Sequence, residues 1–485
     1  MSYIRAVYKE YNLAILVGLA FVILNSVLLY FEIFYLPVVP ILFAVGWIIF
    51  VSLDRAVLLV VFFVPLSIPL SRIIPGLGID MYLPTEPMLA GLMLLYFIKY
   101  IKGSRIDIRI LRHPVTLAIY FNIAWIAITT ITSTMPLVSA KFLVARVWFI
   151  ISFYILAAQM FQNPKRIRQY IWMYIIPFSL VIVYVLVRHT SYGLNNQMAS
   201  HFVVKPFYND HTSYGAALAM VLPVLVGMYF SYKKMDPGQK ILYLFLIAFF
   251  TAATLFSYTR AAWVSLVGIA GIWAVIKLRI RIHILIVGMA LFIGLLFSMW
   301  DQIQLKMEQN KQTSSGELTE HVQSIANVRN DASNLERLNR WNSALRMYRE
   351  KPLFGWGPGT YQFNYAPFQV SYEKTSISTN TGTRGNAHSE YLGPLSESGI
   401  PGMVSILLVV IASIYTGLRV YFKARQRIIR ILSLSILLGL ITYWIHGVLN
   451  NFLDTDKASA LVWGYTAMLV AMDVYHLGEI EEEEL

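Results

Sequence analysis

Long apolar runs, separated by short polar loops, make up most of the chain. We count about fourteen, each about 20 residues long, which is the length that an α-helix needs to cross a hydrocarbon core of about 30 Å. The pattern therefore predicts an all-α polytopic membrane protein whose core is made by packing between helices. The predicted segments are 11–31, 35–53, 56–74, 85–101, 114–133, 141–161, 169–188, 209–231, 241–257, 260–277, 282–300, 399–420, 429–447 and 457–476.

The third predicted segment leaves the count open. Pro65, Pro69 and Pro75 interrupt it, and proline breaks the hydrogen-bond ladder of a helix. Some segments could therefore pair as half-spans, and twelve is the alternative number of membrane crossings. The first segment follows Arg5 and Lys9 without a small-residue cleavage site, so we predict that it is kept as a membrane span.

One long polar stretch, residues 301–398, interrupts the apolar pattern. It divides the chain into an N-terminal transmembrane bundle (1–300), an insert outside the membrane (301–398) and C-terminal transmembrane helices with an acidic tail (399–485). We predict that the insert is partly helical and that it closes a catalytic cavity at the outer membrane–water interface.

The positive charges predict an orientation. With the N-terminus inside, every dense basic loop falls on the cytoplasmic side, as the bias of lysine and arginine towards that side requires. The same orientation places both termini inside and the 301–398 insert outside. It also places residues 209–211 and 258–260 outside. The basic loops are Lys99–Arg112, Lys165–Arg168, Lys233–Lys240, Lys277–Arg281 and Lys423–Arg430.

Composition supports this class of protein and excludes others. Hydrophobic residues make up 57% of the chain and charged residues only 13%, against about 25% in soluble domains. The net charge of +13 does not indicate nucleic-acid binding, because the basic residues lie in loops that set orientation. The absence of cysteine excludes disulfides and thiolate metal sites.

Arginines at two places are candidates for binding an anion. Arg260 joins two apolar segments with almost no loop, next to Tyr258. It is either an interfacial arginine that reaches for water or a clamp for an anion such as a phosphate. Arg337 and Arg340 lie on a predicted helix, 333–350, which is either a solvated amphipathic helix or a surface helix that points Arg337 at the same anion.

The pattern within helix 333–350 makes two further predictions. Ser333 and Glu336 have the spacing of a capping box. An apolar face is predicted at helical spacing. The residues of this face are Leu338, Trp341, Leu345 and Tyr348.

His388 is the best candidate for proton transfer. It follows Asn386 and precedes a predicted short helix, 389–398. A helix N-terminus disfavours the imidazolium ion, which would keep His388 neutral and able to accept a proton. The alternative is an ordinary solvated loop histidine. His211, His201 and His189 are weaker candidates on the same predicted side.

Two other motifs carry little chemistry. Gly355-Trp356-Gly357-Pro358-Gly359 predicts turns within 352–361, which we expect to form a hairpin, and it matches no phosphate-binding loop. Asp454-Thr455-Asp456 could hold a divalent cation. A triplet of this kind arises often by chance, so we predict no metal site and no cofactor.

Taken together, these motifs resemble the bacterial O-antigen ligase and O-antigen polymerase superfamily. The resemblance covers about residues 255–405. It departs in Ala261, where glycine is usual, and in the extra arginine Arg340. The matching stretches are Thr259-Arg260-Ala261, Arg337 with Trp341 to Leu345, Lys351 to Gly359, Asn386-Ala387-His388 with Leu392, and Glu397 with Gly399 to Gly402.

The resemblance implies a membrane-embedded glycosyltransferase of the C-type fold. It implies an undecaprenyl-diphosphate-linked glycan as donor, a reaction at the periplasmic face of the bacterial inner membrane, inversion, and no metal. Arg260 and Arg337 would stabilise the donor diphosphate, and His388 would be the general base. Further substrate-contact candidates are Arg340, Trp341, Asn386, Glu390, His211 and Tyr258.

The motifs do not separate three acceptors. The first hypothesis is a lipid A–core acceptor, as in a ligase; the others are a second lipid-linked repeat, as in a polymerase, and Ser or Thr of a periplasmic protein. A transporter of the same lipid is the competing class. It would predict paired broken helices with charges at the membrane midplane, whereas most of the ionisable groups gather at the predicted outer edge.

Overall fold

The computed structural model describes residues 15–30 (except 17 and 29), 52–73, 81–232, 234–280, 332–375, 378 and 385–478. The predicted segment 282–300, most of 35–53 and the acidic tail lie outside these ranges. The chain divides into two compact units, Met1–Ala56 and Val57–Leu485. The first contains helix α1, Gly18–Leu28.

Nine helices among the described residues are long and apolar enough to cross a membrane. The chain is therefore a multi-pass helical membrane protein, while the counts of fourteen or twelve spans stay predictions. The nine are α6 (Pro114–Ile131), α7 (Pro136–Met160), α8 (Pro164–Thr190), α10 (His211–Ser231), α11 (Pro237–Phe256), α12 (Arg260–Lys277), α15 (Leu392–Lys423), α16 (Arg427–His446) and α17 (Asp456–His476).

Shorter elements lie between them. Two π-helical turns, Ile151–Leu156 and Met472–His476, interrupt α7 and end α17. The short helices are α2 (Leu53–Phe63), α3 (Leu70–Ile73), α4 (Thr85–Ile101), α5 (Ile108–Leu111), α9 (Gln197–Val203), α13 (Ala332–Glu350) and α14 (Tyr361–Asn364), with 3₁₀ turns at Val64–Leu66, Ala366–Phe368 and Ser371–Glu373.

The predicted segment 56–74 does not form one span. Helix α2 has 11 residues, about 16 Å at 1.5 Å per residue, and ends in the 3₁₀ turn Val64–Leu66. Pro65 lacks the N–H group that would continue the ladder. Strand β1 (Ile68–Pro69) then pairs antiparallel with β2 (Tyr82–Leu83). This segment follows the half-span alternative.

The core lies along α10, α16 and α17, which are the most enclosed of the nine helices, whereas α11 and α12 are the least enclosed. Helices α10 and α16 approach closely because Gly227 has no side chain: a Cβ there would lie 2.2 Å from that of Ser435. Small residues allow this contact between membrane helices, where apolar burial alone gives little driving force.

Several of the basic loops meet at one end of the bundle. Nη2 of Arg427, at the start of α16, donates to the carbonyl of Phe230 near the end of α10 (3.3 Å). Arg168, near the start of α8, donates to the hydroxyl of Tyr232. The opposite end carries the start of α12 and the end of α16. The structure thus separates the basic loops from the predicted chemistry, and the leaflet that each faces stays a prediction.

The predicted hairpin at 352–361 forms a series of turns instead, without strands among its described residues. These turns pack on a break in α15. Gly399 has φ 70° and ψ −169°, a conformation that is essentially restricted to glycine. The amide of Ile400 donates to the carbonyl of Pro352 (3.0 Å), and that of Gly357 donates to the carbonyl of Glu397 (2.8 Å).

We expect Gly399→Ala to destabilise the protein by about 1–3 kcal/mol from backbone strain alone. The new Cβ would also lie 2.1 Å from the Leu353 carbonyl oxygen. Thermal unfolding in detergent measures the effect. Gly271→Ala in α12 is the control, because nothing lies within 4 Å of a Cβ there. Equal unfolding midpoints for the two variants would contradict the assigned strain.

Candidate active site

Helix α13 of the insert forms as predicted but buries a different face. Leu345 is 37% exposed, and Leu338, Trp341 and Tyr348 are only partly buried, so the predicted apolar face was wrong. The buried face is largely polar, because chain segments that follow α13 supply its partners. The buried residues are Glu336, Asn339, Arg340, Ser343, Ala344 and Met347.

A buried ion pair connects α13 to the loop that carries His388. Nε of Arg340 donates to Oε1 of Glu336 (2.8 Å), and Nη1 donates to the carbonyl of Asn386 (3.1 Å). The other oxygen of Glu336 accepts from Thr375 and Ser378. Ser333 lies inside the helix, so the predicted capping box is not the role of Glu336.

These contacts change the expectation for two residues. Burial disfavours the Glu336 carboxylate, but hydrogen bonds from Ser378 and Arg340 outweigh it and lower its pKa. Arg340 is 7% exposed, and its guanidinium is bound by Glu336 and the Asn386 carbonyl. Its placement favours Arg337 as the arginine of α13 that would face an anion.

His388 has an uncommon backbone conformation that its neighbours hold in place. Its φ is 49°, in the left-handed region that non-glycine residues seldom adopt. Its amide donates to Oδ1 of Asn386 (3.0 Å), and its carbonyl accepts from Nε1 of Trp341 (3.3 Å). Asn386 and Trp341 therefore position the histidine, and strain of this kind clusters at functional sites.

The neutral state of His388 has a different cause from the one predicted. The following helix begins at Leu392, not at residue 389, so a helix N-terminus does not adjoin the ring. Burial, followed by the charges of Arg340 and Arg337, lowers the pKa of His388 to about 3. The imidazole is therefore neutral and can accept a proton at physiological pH.

A close contact between two helix starts places Arg260. A Cβ on Gly215 in α10 would lie 2.5 Å from Oγ1 of Thr259, so only glycine allows this approach. The Thr259 hydroxyl donates to the carbonyl of His211 (2.8 Å). The preceding residue, Tyr258, has φ 51°, and its hydroxyl donates to the carbonyl of Leu194 (2.9 Å). Arg260 then begins α12 beside His211.

Arg337 is the shared neighbour in this region. Its charge acts on His388, on His211 and on His446, while the charge of Arg260 acts on His211. The structure thus brings the three predicted catalytic residues into one electrostatic neighbourhood, with Arg260 connected through His211.

Two members of this neighbourhood were not proposed for chemistry from the sequence. Asp210 caps α10 by accepting from the amides of Thr212 (2.8 Å) and Ser213 (2.9 Å). His446 ends α16. Histidine is rare in an apolar segment, and that signal could have identified it. Nδ1 of His211 and Nδ1 of His446 are buried and have no hydrogen-bond partner among the described residues, so both are available to a substrate. Nδ2 of Asn450 donates to Nε2 of His446 (3.1 Å), so Nδ1 of a neutral His446 would be a donor.

A cavity of about 200 Å³ adjoins the site. Asp210, Asn386, Asp454 and Lys457 are among its lining residues, so it extends from the His388 loop towards α17. Asp456 points elsewhere and accepts from the hydroxyls of Ser67 and Thr85, among others. The two carboxylates of the 454–456 triplet therefore have different environments.

Glu390, two residues after His388, connects the His388 loop to the segment between α16 and α17. Oε1 of Glu390 accepts from the amides of Phe452 (2.7 Å) and Leu453 (2.9 Å) and from the Tyr443 hydroxyl. Burial raises the pKa of Glu390. Glu390 therefore holds neighbouring loops together, and its predicted substrate contact stays a prediction.

Arg146 of α7 is 6% exposed. It interacts electrostatically with Glu390, Asp454 and Glu397. An arginine within the predicted apolar segment 141–161 could have been singled out from the sequence.

One family model matches part of the chain. Residues 243–407 match the family model described as O-antigen ligase. This match supports the resemblance to the O-antigen ligase and polymerase superfamily over that part of the chain. The match runs from α11 to the first part of α15 and includes Arg260, Arg337 and His388. No curated protein sequence matches the chain.

The family match indicates an activity of the O-antigen ligase or polymerase type. Such an activity is that of a glycosyltransferase, whose substrates in general are a lipid-linked glycan and a glycan acceptor. The resemblance drawn from the sequence is thereby confirmed at the level of the family.

We expect Arg146→Ala to destabilise the protein by about 2–5 kcal/mol, because truncation of a buried side chain leaves a cavity. The substitution also removes a cation that attracts Glu390, Asp454 and Glu397. Lys141→Ala is the matched control, since Lys141 lies exposed on the same helix. Thermal unfolding in detergent should separate the two variants, and a midpoint for Arg146→Ala as high as the control's would contradict the supporting role.

Proposed function

We propose that the protein transfers an undecaprenyl-diphosphate-linked glycan to a lipid A–core or similar acceptor, as an inverting O-antigen ligase. The observation that carries the proposal is the placement of Arg337. Its helix brings it into one neighbourhood with His388, His211 and His446, and Arg260 acts on the same His211.

The two arginines would stabilise the leaving group. When the bond from the anomeric carbon to the diphosphate breaks, negative charge develops on the phosphate oxygens. Positioned guanidinium groups stabilise such charge, since they are always protonated and bind phosphate through two hydrogen bonds. Arg260 and Arg337 would supply this stabilisation in place of a metal ion, so we propose transfer without a metal.

His388 would be the general base. The acceptor hydroxyl attacks the anomeric carbon from the side opposite the diphosphate, its oxygen bonds to that carbon, and its proton passes to His388. The polyprenyl diphosphate leaves, and the configuration of the sugar inverts. A neutral imidazole is the form that this step requires, and burial with the charges of Arg340 and Arg337 keeps His388 in that form.

The orientation also supports a reaction at the periplasmic face of the inner membrane. Basic loops meet at the end of the bundle opposite Arg260 and His446, and lysine and arginine favour the cytoplasmic side. A donor lipid in the outer leaflet would then present its diphosphate near the start of α12.

Arg260→Ala, Arg337→Ala and His388→Ala should each reduce glycan transfer by purified protein by about 10²–10⁴-fold. The assay contains a lipid-diphosphate glycan, an acceptor and a chelator. Arg349→Ala is the control, because Arg349 is exposed at the end of α13. Full transfer by all three variants would reject the catalytic roles of these residues. Absence of transfer by the unaltered protein would reject the enzyme and favour a transporter, and loss of transfer on chelation would reject the metal-free mechanism.

The pH dependence provides a separate test. With its pKa lowered from 6.5 to about 3, His388 of the free enzyme should not limit kcat/KM between pH 8 and pH 5. The bound diphosphate is negative and raises that pKa, so the acid limb of kcat should lie at higher pH than that of kcat/KM. Coincident limbs near pH 6.5 would contradict a His388 kept neutral by its surroundings.

The surface polysaccharide of a deletion strain distinguishes the acceptors. Accumulation of full-length lipid-linked polymer supports the ligase. Accumulation of single lipid-linked repeats would support a polymerase instead, and loss of protein-bound glycan would support transfer to periplasmic proteins.

A further inference from the structure

A second concave surface lies at the other end of the bundle, far from His388. It has a volume of about 450 Å³ and is formed where α12 ends, α15 ends and α16 begins. We call it the basic groove. Its lining residues are Ile276, Lys277, Arg279, Tyr421, Phe422, Arg427, Arg430 and Ile431. Helix α12 has 18 residues, so about 27 Å separates the groove from Arg260, close to the thickness of a hydrocarbon core.

The basic groove has positive charge without a matching carboxylate. Of the eight described residues that line it, four are cations and none is acidic. In the part of the chain that the structure describes, none of the four forms an ion pair. Arg427 makes one hydrogen bond, to the carbonyl of Phe230. Like charges gathered in one groove repel one another, and a bound anion would relieve that repulsion.

The backbone at Arg279 adds an independent observation. The amide of Arg279 donates to the carbonyl of Ile276 (3.2 Å), and that of Ile280 donates to the carbonyl of Val275 (3.1 Å). These bonds end α12 in the turn that usually has glycine at its left-handed position. Here that position is Arg279, with φ 51°. The arginine at this position, which suits glycine better, is explained if its guanidinium binds an anion in the groove.

The other half of the groove is apolar, and this selects the class of anion. Ile276, Tyr421, Phe422 and Ile431 lie beside the cations, and Phe422 is 57% exposed. A phosphodiester headgroup would contact the cations while its acyl chains cover the apolar side chains. A soluble nucleotide or free phosphate would leave those side chains uncovered. Basic pockets between membrane helices bind anionic headgroups in this manner.

We propose that the basic groove binds the headgroup of an anionic phospholipid. The site is separate from the proposed donor site, because they lie at opposite ends of α12. In the proposed orientation it faces the cytoplasmic leaflet, whose anionic lipids attract clustered lysine and arginine.

Thermal unfolding of the purified full-length protein in detergent, with added phosphatidylglycerol or phosphatidylcholine, tests the proposal. Phosphatidylglycerol should raise the midpoint and phosphatidylcholine should not. Arg427→Gln with Arg430→Gln should weaken phosphatidylglycerol binding about 25-fold, at a factor of about five for each cation. Lys165→Gln with Lys240→Gln is the control, since it removes two exposed cations outside the groove.

Arg279→Gly keeps the test decisive if the double variant fails to fold. Glycine suits the left-handed position, so the lipid-free protein should be at least as stable as the unaltered one. Its response to phosphatidylglycerol should nevertheless weaken about fivefold. The proposal is overturned if groove and control variants respond alike, if phosphatidylcholine stabilises equally, or if inorganic phosphate alone gives the whole shift.

Discussion

The buried pair of Arg340 and Glu336 is the interaction on which the candidate site depends. A guanidinium that is withdrawn from water must be paired and hydrogen-bonded, or the cost is several kcal/mol. Arg340 meets this requirement with Glu336 and the Asn386 carbonyl. Its Nη1 would lie 1.7 Å from a Cβ at residue 385, so this position has room only for glycine. One side chain thus fixes the start of the loop that presents His388.

The same region would meet an electrostatic requirement of the proposed reaction with a lipid diphosphate. The site must be positive enough to attract a dianion, but its base must stay unprotonated. Arginine remains charged at any physiological pH, whereas the burial and cationic surroundings of His388 hold its pKa far below the usual range. In the proposed reaction, Arg337 and Arg260 would supply permanent charge while His388 remains a base. Arg337 also acts on this base, because its charge and that of Arg340 help to keep the imidazole neutral.

The sequence predicted the parts of the fold that depend on local pattern. Among the described residues, nine apolar segments form helices long enough to span a membrane near the predicted positions, and α13 covers the predicted helix. The buried face of α13 could not be predicted in this way. Glu336, Asn339 and Arg340 are buried because residues between 369 and 386 form hydrogen bonds with them. These partners are more than twenty residues away along the chain, so the pattern within the helix does not reveal them. The break at Gly399 likewise depends on residues 352 and 353, which pass over it.

Arg146 and His446 were missed for the opposite reason. Each is a single polar residue in an apolar segment, and hydropathy averages it away. An intramembrane ionisable group is costly enough that each should have been treated as a candidate. Both residues interact with groups of the candidate site. Arg146 interacts electrostatically with Glu390, Asp454 and Glu397, and His446 interacts electrostatically with Arg337 and His211. In a membrane protein, the residues that interrupt the hydrophobic pattern are therefore the first place to look for chemistry, and the pattern itself specifies only the scaffold.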